Sequence, residues 1–344
     1  MTAPLWITEQ EVVELLDLGE AISALESGLR QEASGAAQNM LKTQASWGDN
    51  NLHAGNLHAI GAVFTQQKLA ATKTWAHTEG GATPLLIVIG ADDGSIKAII
   101  EAFALGQMRT GGISGVATDW LAAADADDLA LVGTGKQALL QVAAVNAVRP
   151  LKRVRVFSPR AESRTQLISK LRMEFDCEII EARSVAAAVE NAPIITLVTR
   201  ATAAFLDASM VARGAHINAV GAISPEREEF AQSIFERASC IAVDSVPSVQ
   251  NLSQEFKTRF GPPGAHWEPV HPLSRLIAEG RKRAPGDDLT LFKAMGMGIA
   301  DLALGAEIYA RALKAGKGRP FAHPQRAQPR IRPSNGIPGI RAAA

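Results

Sequence analysis

Residues 129–138, LALVGTGKQA, carry a wholly apolar run into a glycine turn, and the next ten, LLQVAAVNAV, have the composition of a helix. Strand, GxGxxA turn and helix in that order form the opening unit of a dinucleotide-binding fold. The small residues have separate tasks. Gly133 permits the sharp turn, Gly135 lets backbone approach a diphosphate with no Cβ in the way, and Ala138 lets the helix pack close to the strand. Thr134, Lys136 and Gln137 fill the turn, whose amides face the phosphates at a helix N-terminus with help from the dipole. A ligand-free glycine turn is the competing reading, and the rhythm of the segments that follow argues against it.

Working outward, RVRVF (153–157), EIIEA (178–182), IITLVT (194–199), HINAVG (216–221) and IAVD (241–244) read as further strands separated by helical stretches. Short apolar runs without polar alternation are buried on both faces, so the expectation is a parallel sheet covered by helices. The strand after the glycine turn ends in Phe157-Ser158-Pro159-Arg160, with Arg164 soon after. An NAD-preferring site places a carboxylate there, against the ribose 2′-hydroxyl. Its absence beside Ser158, Arg160 and Arg164 points to NADP(H) as preferred coenzyme with NAD(H) possible; a solvated loop arginine is the alternative.

Upstream, Thr8-x-x-Glu11 reads as a capping box, and Ile22, Leu25 and Leu29 share one face of a second helix. LLIVIG (85–90) and IKAIIEA (96–102) flank Asp93-Gly94, a hairpin signal within an antiparallel meander. Downstream, a long helix is expected from Leu289 to Ala315, with Gly316 as its stop. Residues 319–344 are rich in Pro, Gly and Arg, contain no acid, and read as a disordered basic tail.

The expected class is therefore α/β, with a Rossmann-type parallel-sheet domain (119–299) inserted in a second α+β substrate and dimerisation domain (1–118 plus 300–318). Composition agrees, at 47% hydrophobic and 20% charged over 344 residues. Lys plus Arg equals Asp plus Glu, 35 each, so no net field draws the chain to nucleic acid or an acidic membrane. No apolar run approaches the roughly 18 residues that span a bilayer. Cys177 and Cys240 lie far apart with no CxxC spacing, which suits a reducing cytoplasm and suggests neither a disulfide framework nor zinc. The pairs His53/His58 and His266/His271 are five apart, not four, so no metal site is expected.

Several motifs in order resemble the ornithine cyclodeaminase and mu-crystallin family over roughly residues 5–318: ATKTW around Lys73, Arg109-Thr110-Gly111-Gly112, LVGTGKQA, HINAVGAISPEREEF and LFKAMGMGIADLA. The resemblance implies a homodimer and a crevice between two domains. It implies that Arg109 grips a substrate carboxylate, that Lys73 binds the carboxylate or passes a proton, and that Thr110 neighbours the coenzyme phosphates. It also implies that Thr199 and Arg200 lie along the coenzyme, with Val220 and Gly221 beside the nicotinamide. Glu229 touches substrate or pairs with a basic neighbour; Ser224 orients water or substrate, or caps the turn before Pro225. Trp75 and His77 line the pocket mouth or pack under the hairpin; segment 259–276, with prolines at 262, 263, 269 and 272, departs from the family pattern and reads as a loop, with shaping of substrate access as the further reading.

Family members that cyclise ornithine carry an aspartate where this chain has Ile223. A hydrocarbon cannot act as base in ammonia loss. The leading expectation is thus an NAD(P)H-dependent reductase of small α-imino acids. A cyclodeaminase-type lyase using NAD catalytically, and a non-catalytic NADPH- or ligand-binding protein, are the other readings.

Overall fold

Two capping boxes open the chain. Thr8 accepts from the Glu11 amide and Asp17 from the Glu20 amide, and each glutamate reaches back to its cap amide. They start helices α1 (Glu9–Leu15) and α2 (Leu18–Ala33), preceded by β1 (Leu5–Ile7). Ile22, Leu25 and Leu29 of α2 are buried, as their spacing predicts. The computed structural model describes residues 2–49 and 52–331; the side chain of His53 lies outside the described set.

There follow β2 (Ala37–Asp49), β3 (Leu52–Phe64), β4 (Leu69–His77), β5 (Leu85–Gly90), β6 (Ile96–Glu101) and α3 (Phe103–Leu121). Alternating units come next: β7 (Asp128–Val132), α4 (Ala138–Val148), β8 (Arg153–Phe157), α5 (Ala161–Glu174), β9 (Glu178–Glu181), α6 (Val185–Val189) and β10 (Ile194–Leu197). The remainder is β11 (Thr202–Leu206), β12 (Ala215–Ala219), β13 (Glu228–Phe230), α7 (Ser233–Arg237), β14 (Ala238–Val243), α8 (Val246–Leu252), α9 (Gln254–Phe260), β15 (Val270–Pro272), α10 (Leu273–Ala278), β16 (Leu289–Lys293), α11 (Gly298–Ala315) and β17 (Arg319–Pro320).

Two large sheets result. One has the order β17-β1-β6-β5-β4-β3-β2, antiparallel from β2 through β6, with Asp93-Gly94 in the β5–β6 hairpin. The other has the order β15-β14-β16-β12-β10-β7-β8-β9 and is parallel throughout. Every residue of β7, β10, β12 and β16 is buried, as expected of strands covered on both faces. The expected α/β class holds.

Three readings of the sequence need correction. Leu289–Lys293 is not the start of the long helix but strand β16, seated between β12 and β14. The helix begins only at Gly298, after Gly296 turns the chain with φ +90°, and ends at Gly316 in the left-handed region as expected. Segment 259–276 does not border the cleft described below: Trp267 packs on Phe256 and Phe260, and β15 extends the sheet edge. The tail begins later than expected, because Arg319–Pro320 pairs with β1 and the Phe321 amide donates to Pro4 O; residues 332–344 lie outside the described set.

α3 joins the two sheets. Its glycines are the reason it can: a Cβ on Gly111 would stand 2.9 Å from Leu140 O, and one on Gly115 3.0 Å from Ala144 O, so the helix lies against the backbone of α4. Its last two turns are tied to the parallel sheet by a buried polar chain. His216 Nδ1 meets Thr290 Oγ1 at 2.9 Å, His216 Nε2 meets the Asn218 amide at 3.1 Å, and that amide meets Thr118 Oγ1 at 2.9 Å. Asn218 Oδ1 can only accept, so Nε2 carries the hydrogen of the neutral ring and Nδ1 faces the Thr290 hydroxyl as acceptor.

Candidate active site

The C-terminal ends of the parallel strands and the inner face of the antiparallel sheet enclose a cleft of about 570 Å³. It opens into a second cavity of about 340 Å³ over the glycine turn. The two share Gly135, Arg160, Val198, Thr199 and Arg200, so they form one continuous groove.

On the parallel-sheet side, Gly133 adopts φ +115° and packs on Val198 O, where a Cβ would come within 2.6 Å. Above Gly135 nothing lies within 4 Å of a notional Cβ, so the space over its backbone is open. Gln137 caps α4 without a side-chain hydrogen bond; the Ala138 amide donates to Gly135 O, and the amides that follow it are left to an external acceptor. Ala138 is fully buried, Thr134 Oγ1 donates to Ser163 Oγ at 2.8 Å, and Lys136 is exposed beside the cleft. These features fit a diphosphate: open glycine backbone, unclaimed amides and a neighbouring cation. Gly133, Thr134, Phe157, Ser158, Pro159, Arg160 and Phe205 line the outer cavity, a shape and polarity suited to an adenosine.

Arg164 departs from expectation. Its Nε donates to Glu181 at 2.8 Å and its Nη1 to Ser158 O, so it is occupied in bracing the strand end. Of the pair Arg160 and Arg164, the former is the one that borders the groove.

On the facing wall, strand alternation puts Lys73, Trp75 and His77 on one face of β4. Trp75 and His77 line the cleft; Lys73 stands behind it, 3% exposed, with Nζ 2.5 Å from Asp301 Oδ1. Arg109 enters from α3, its Nε 3.3 Å from the same oxygen and its guanidinium against Gly296. Burial pushes the Lys73 ammonium down to about 8, against the pull of Asp301 and assisted by Arg109. Thr110 also lines the cleft, but its hydroxyl donates back to Gly106 O.

Lys42 was not singled out in the sequence. Between Met40 and Thr43 the register with β3 slips, so Leu41 and Lys42 together oppose Ile60, and the bulge delivers Lys42 to the cleft. Burial lowers its pKa, and Arg109 adds to the effect. Behind it, His58 stacks on Trp75 at 4.8 Å; burial, with Lys42 and His77 close by, holds that imidazole down to about 4.

The strand ends complete the site. Val198, Thr199, Arg200, Val220, Gly221 and Ile223 line the cleft. Ser224 does not: it sits in the following turn, accepting from the Arg227 amide through its carbonyl and holding Glu226 through its side chain. Nor does Glu229. It is fully buried, with Oε1 accepting from the Thr199 amide at 2.6 Å and hydroxyl at 2.8 Å, and Oε2 accepting from the Gly221 and Ala222 amides at 2.9 and 3.0 Å. Asp244 plays a similar part opposite, accepting from the Met295 and Gly296 amides.

A groove for a dinucleotide ends against an arginine and two lysines, and the comparisons with known proteins agree with it. The model of the ornithine cyclodeaminase/mu-crystallin family matches residues 3–316. The chain belongs to that family. Family relatives include the Delta(1)-pyrroline-2-carboxylate reductase of Bacillus cereus, 28% identical over 65% of this chain and 70% of its own length. The rat ketimine reductase mu-crystallin is 26% identical over 89% of this chain and 97% of its own. The structure of the Thermococcus litoralis Delta(1)-pyrroline-2-carboxylate reductase, a complex with NADH and L-proline, superposes with a TM-score of 0.84 at 24% identity, covering 92% of this chain and all of that one. Among the described residues no helix is long and apolar enough to cross a membrane.

Proposed function

We propose that this chain is an NAD(P)H-dependent reductase of small α-imino acids, cyclic or linear, working as an oxidoreductase on C=N bonds. The observation that carries the reading is the opposition of two walls. Arg109 and Lys42, with the buried Lys73 behind them, stand opposite strand ends where Ile223 supplies hydrocarbon, and no acidic side chain lines the cleft among the described residues. Ammonia elimination needs a base there; hydride transfer does not.

Arg109 has the planar fork that fixes a carboxylate by two parallel bonds, and Lys42 adds charge from the neighbouring strand. Lys73, steadied by Asp301, sits where it can keep the imine nitrogen protonated. When bound, the reduced nicotinamide supplies hydride to the imine carbon. Ile60, Ile113, Val220, Ile223 and Met295 line the cleft and exclude water, which lengthens the life of the imine. The preferred coenzyme in this reading is NADP(H), with NAD(H) accepted: Ser158 and Arg160 border the outer cavity, and no carboxylate lines it.

The strands at 5–101 and 319–320 build the substrate and dimerisation part, and those at 128–293 the coenzyme domain. The exposed apolar side chains Leu41, Trp47 and Leu57 on the β2–β3 hairpin support a homodimer through that sheet. The free thiols Cys177 and Cys240 suit a reducing cytoplasm.

The test follows loss of reduced-nicotinamide absorbance with pyrroline-2-carboxylate, and with α-keto acids plus ammonia or methylamine. Turnover is expected, and Arg109→Ala should lower kcat/KM by about 10²-fold or more, chiefly through KM. Ammonia and proline formed from ornithine without coenzyme consumption would instead establish the lyase. Coenzyme binding with no turnover across the panel would establish a binding protein.

A further inference from the structure

Among the described residues, Glu229 is the one carboxylate that bonds both strand-end loops bordering the cleft. Its two oxygens take four donors, from Thr199, Gly221 and Ala222. Four donors converging on two oxygens, together with Lys293, favour the ionised carboxylate and work against the burial that leaves its pKa raised. A Cβ on Gly221 would stand 2.5 Å from Glu229 Oε1 and 2.2 Å from Thr199 N and O, so this glycine is all that separates the carboxylate from the cleft wall.

Behind it lies a second buried layer. The Glu229 amide donates to Glu255 Oε1 at 3.1 Å, and Lys293 Nζ is 3.3 Å from the same oxygen; Glu255 and Lys293 are fully buried. With all three ionised, two carboxylates and one ammonium leave one negative charge beneath the loops of Thr199 and Gly221. On the groove, Lys136, Arg160 and Arg200 are exposed, and the facing wall adds the half-buried Lys42 and Arg109 with the buried Lys73, offset in part by Asp301. Solvent screens the three exposed cations more strongly than it screens the buried layer.

We propose that Glu229, with Glu255 and Lys293, is a field-setting and positioning group that favours the oxidised, positively charged nicotinamide over the reduced one. This inference rests on the coenzyme reading above. A nicotinamide ring gains one positive charge as it gives up hydride, so a fixed buried negative charge stabilises the oxidised form selectively and makes the bound reduced coenzyme a stronger donor. The bias runs toward imine reduction.

The experiment measures dissociation constants for oxidised and reduced coenzyme, and for ADP-ribose, by titration calorimetry on Glu229→Gln and Glu255→Gln. Glu229→Gln should raise the ratio of oxidised to reduced dissociation constants by about tenfold, which is ~30 mV for a two-electron couple. Glu255→Gln touches neither loop, should shift the ratio in the same direction by a smaller factor, and carries the test if Glu229→Gln does not fold. A merely structural role would weaken both redox forms equally, and an unchanged ratio in the folded variants would overturn the proposal. If the wild-type chain bound neither form, the coenzyme reading itself would fall with it.

Discussion

The Lys73 ammonium lies 2.5 Å from the Asp301 carboxylate, with both side chains buried. Asp301 is in the first turn of α11 and Lys73 is in the middle of β4, so a contact across 228 positions of sequence tunes the proton affinity of the lysine behind the cleft. Burial lowers that affinity and Asp301 partly restores it.

If protonated Lys73 is the working form, kcat/KM should hold below pH 8 and decline as pH rises through about 8. Asp301→Asn removes the restoring charge, so the alkaline limb should move to lower pH and kcat/KM should drop by about 10²-fold. A pH–rate profile of the two proteins decides it. An unmoved limb would remove Lys73 from proton transfer.

Arg160 and Arg164 make opposite predictions for the coenzyme. Arg160→Ala should reduce the NADPH over NADH preference in kcat/KM by about tenfold. Arg164→Ala should leave that preference alone and cost stability instead, since its partners are Glu181 and Ser158 O. Kinetics with both coenzymes, read beside thermal melts, separates the two arginines.

Gly298 touches the antiparallel sheet directly. A Cβ there would stand 1.9 Å from Gly61 O, which is backbone and cannot step aside. Gly298→Ala should cost about 1–3 kcal/mol in urea unfolding and also reduce activity, because the same helix turn carries Asp301.

His216 gives a prediction for acid stability. Burial holds its pKa down to about 3, against 6.5 for the free side chain. Between those values the unfolded chain binds the extra proton, so stability is lost as pH falls below 6.5, with a limiting slope of about 1.4 kcal/mol per pH unit. His216→Gln lacks this slope. Its deficit relative to wild type, measured by denaturant titration at pH 7 and pH 5, should narrow on acidification; a constant deficit would exclude a buried neutral imidazole.

The local parts of this architecture were legible in the sequence. The Thr8–Glu11 capping box, the GxGxxA turn and the Asp-Gly hairpin are set by a few adjacent residues, and each stands where its pattern puts it. β16 was read as helix because an apolar run without alternation does not distinguish a buried strand from a buried helix. The signal that separates them is Gly296, whose φ of +90° breaks the backbone before α11.

In the site, what was legible was the residues; what was not was their partners. Lys42 reaches the cleft only through a bulge, which no spacing rule announces. Asp301 reads in sequence as an acid suited to a helix N-terminus, and only the packing of α11 on β4 shows its pairing with Lys73. Glu229 reads in sequence as touching substrate or pairing with a basic neighbour; it lies behind the cleft wall, gathering amides from two loops that sequence leaves far apart.

The position of β16 has a consequence for how the chain acquires its structure. Residues 289–293 are the last of the parallel strands in sequence, yet they pair on both sides, with β12 and with β14. A chain emerging from the ribosome therefore holds β12 and β14 as two open edges until nearly the whole length has been made. Closure by a late central strand should make assembly slow and leave the unfinished chain prone to self-association.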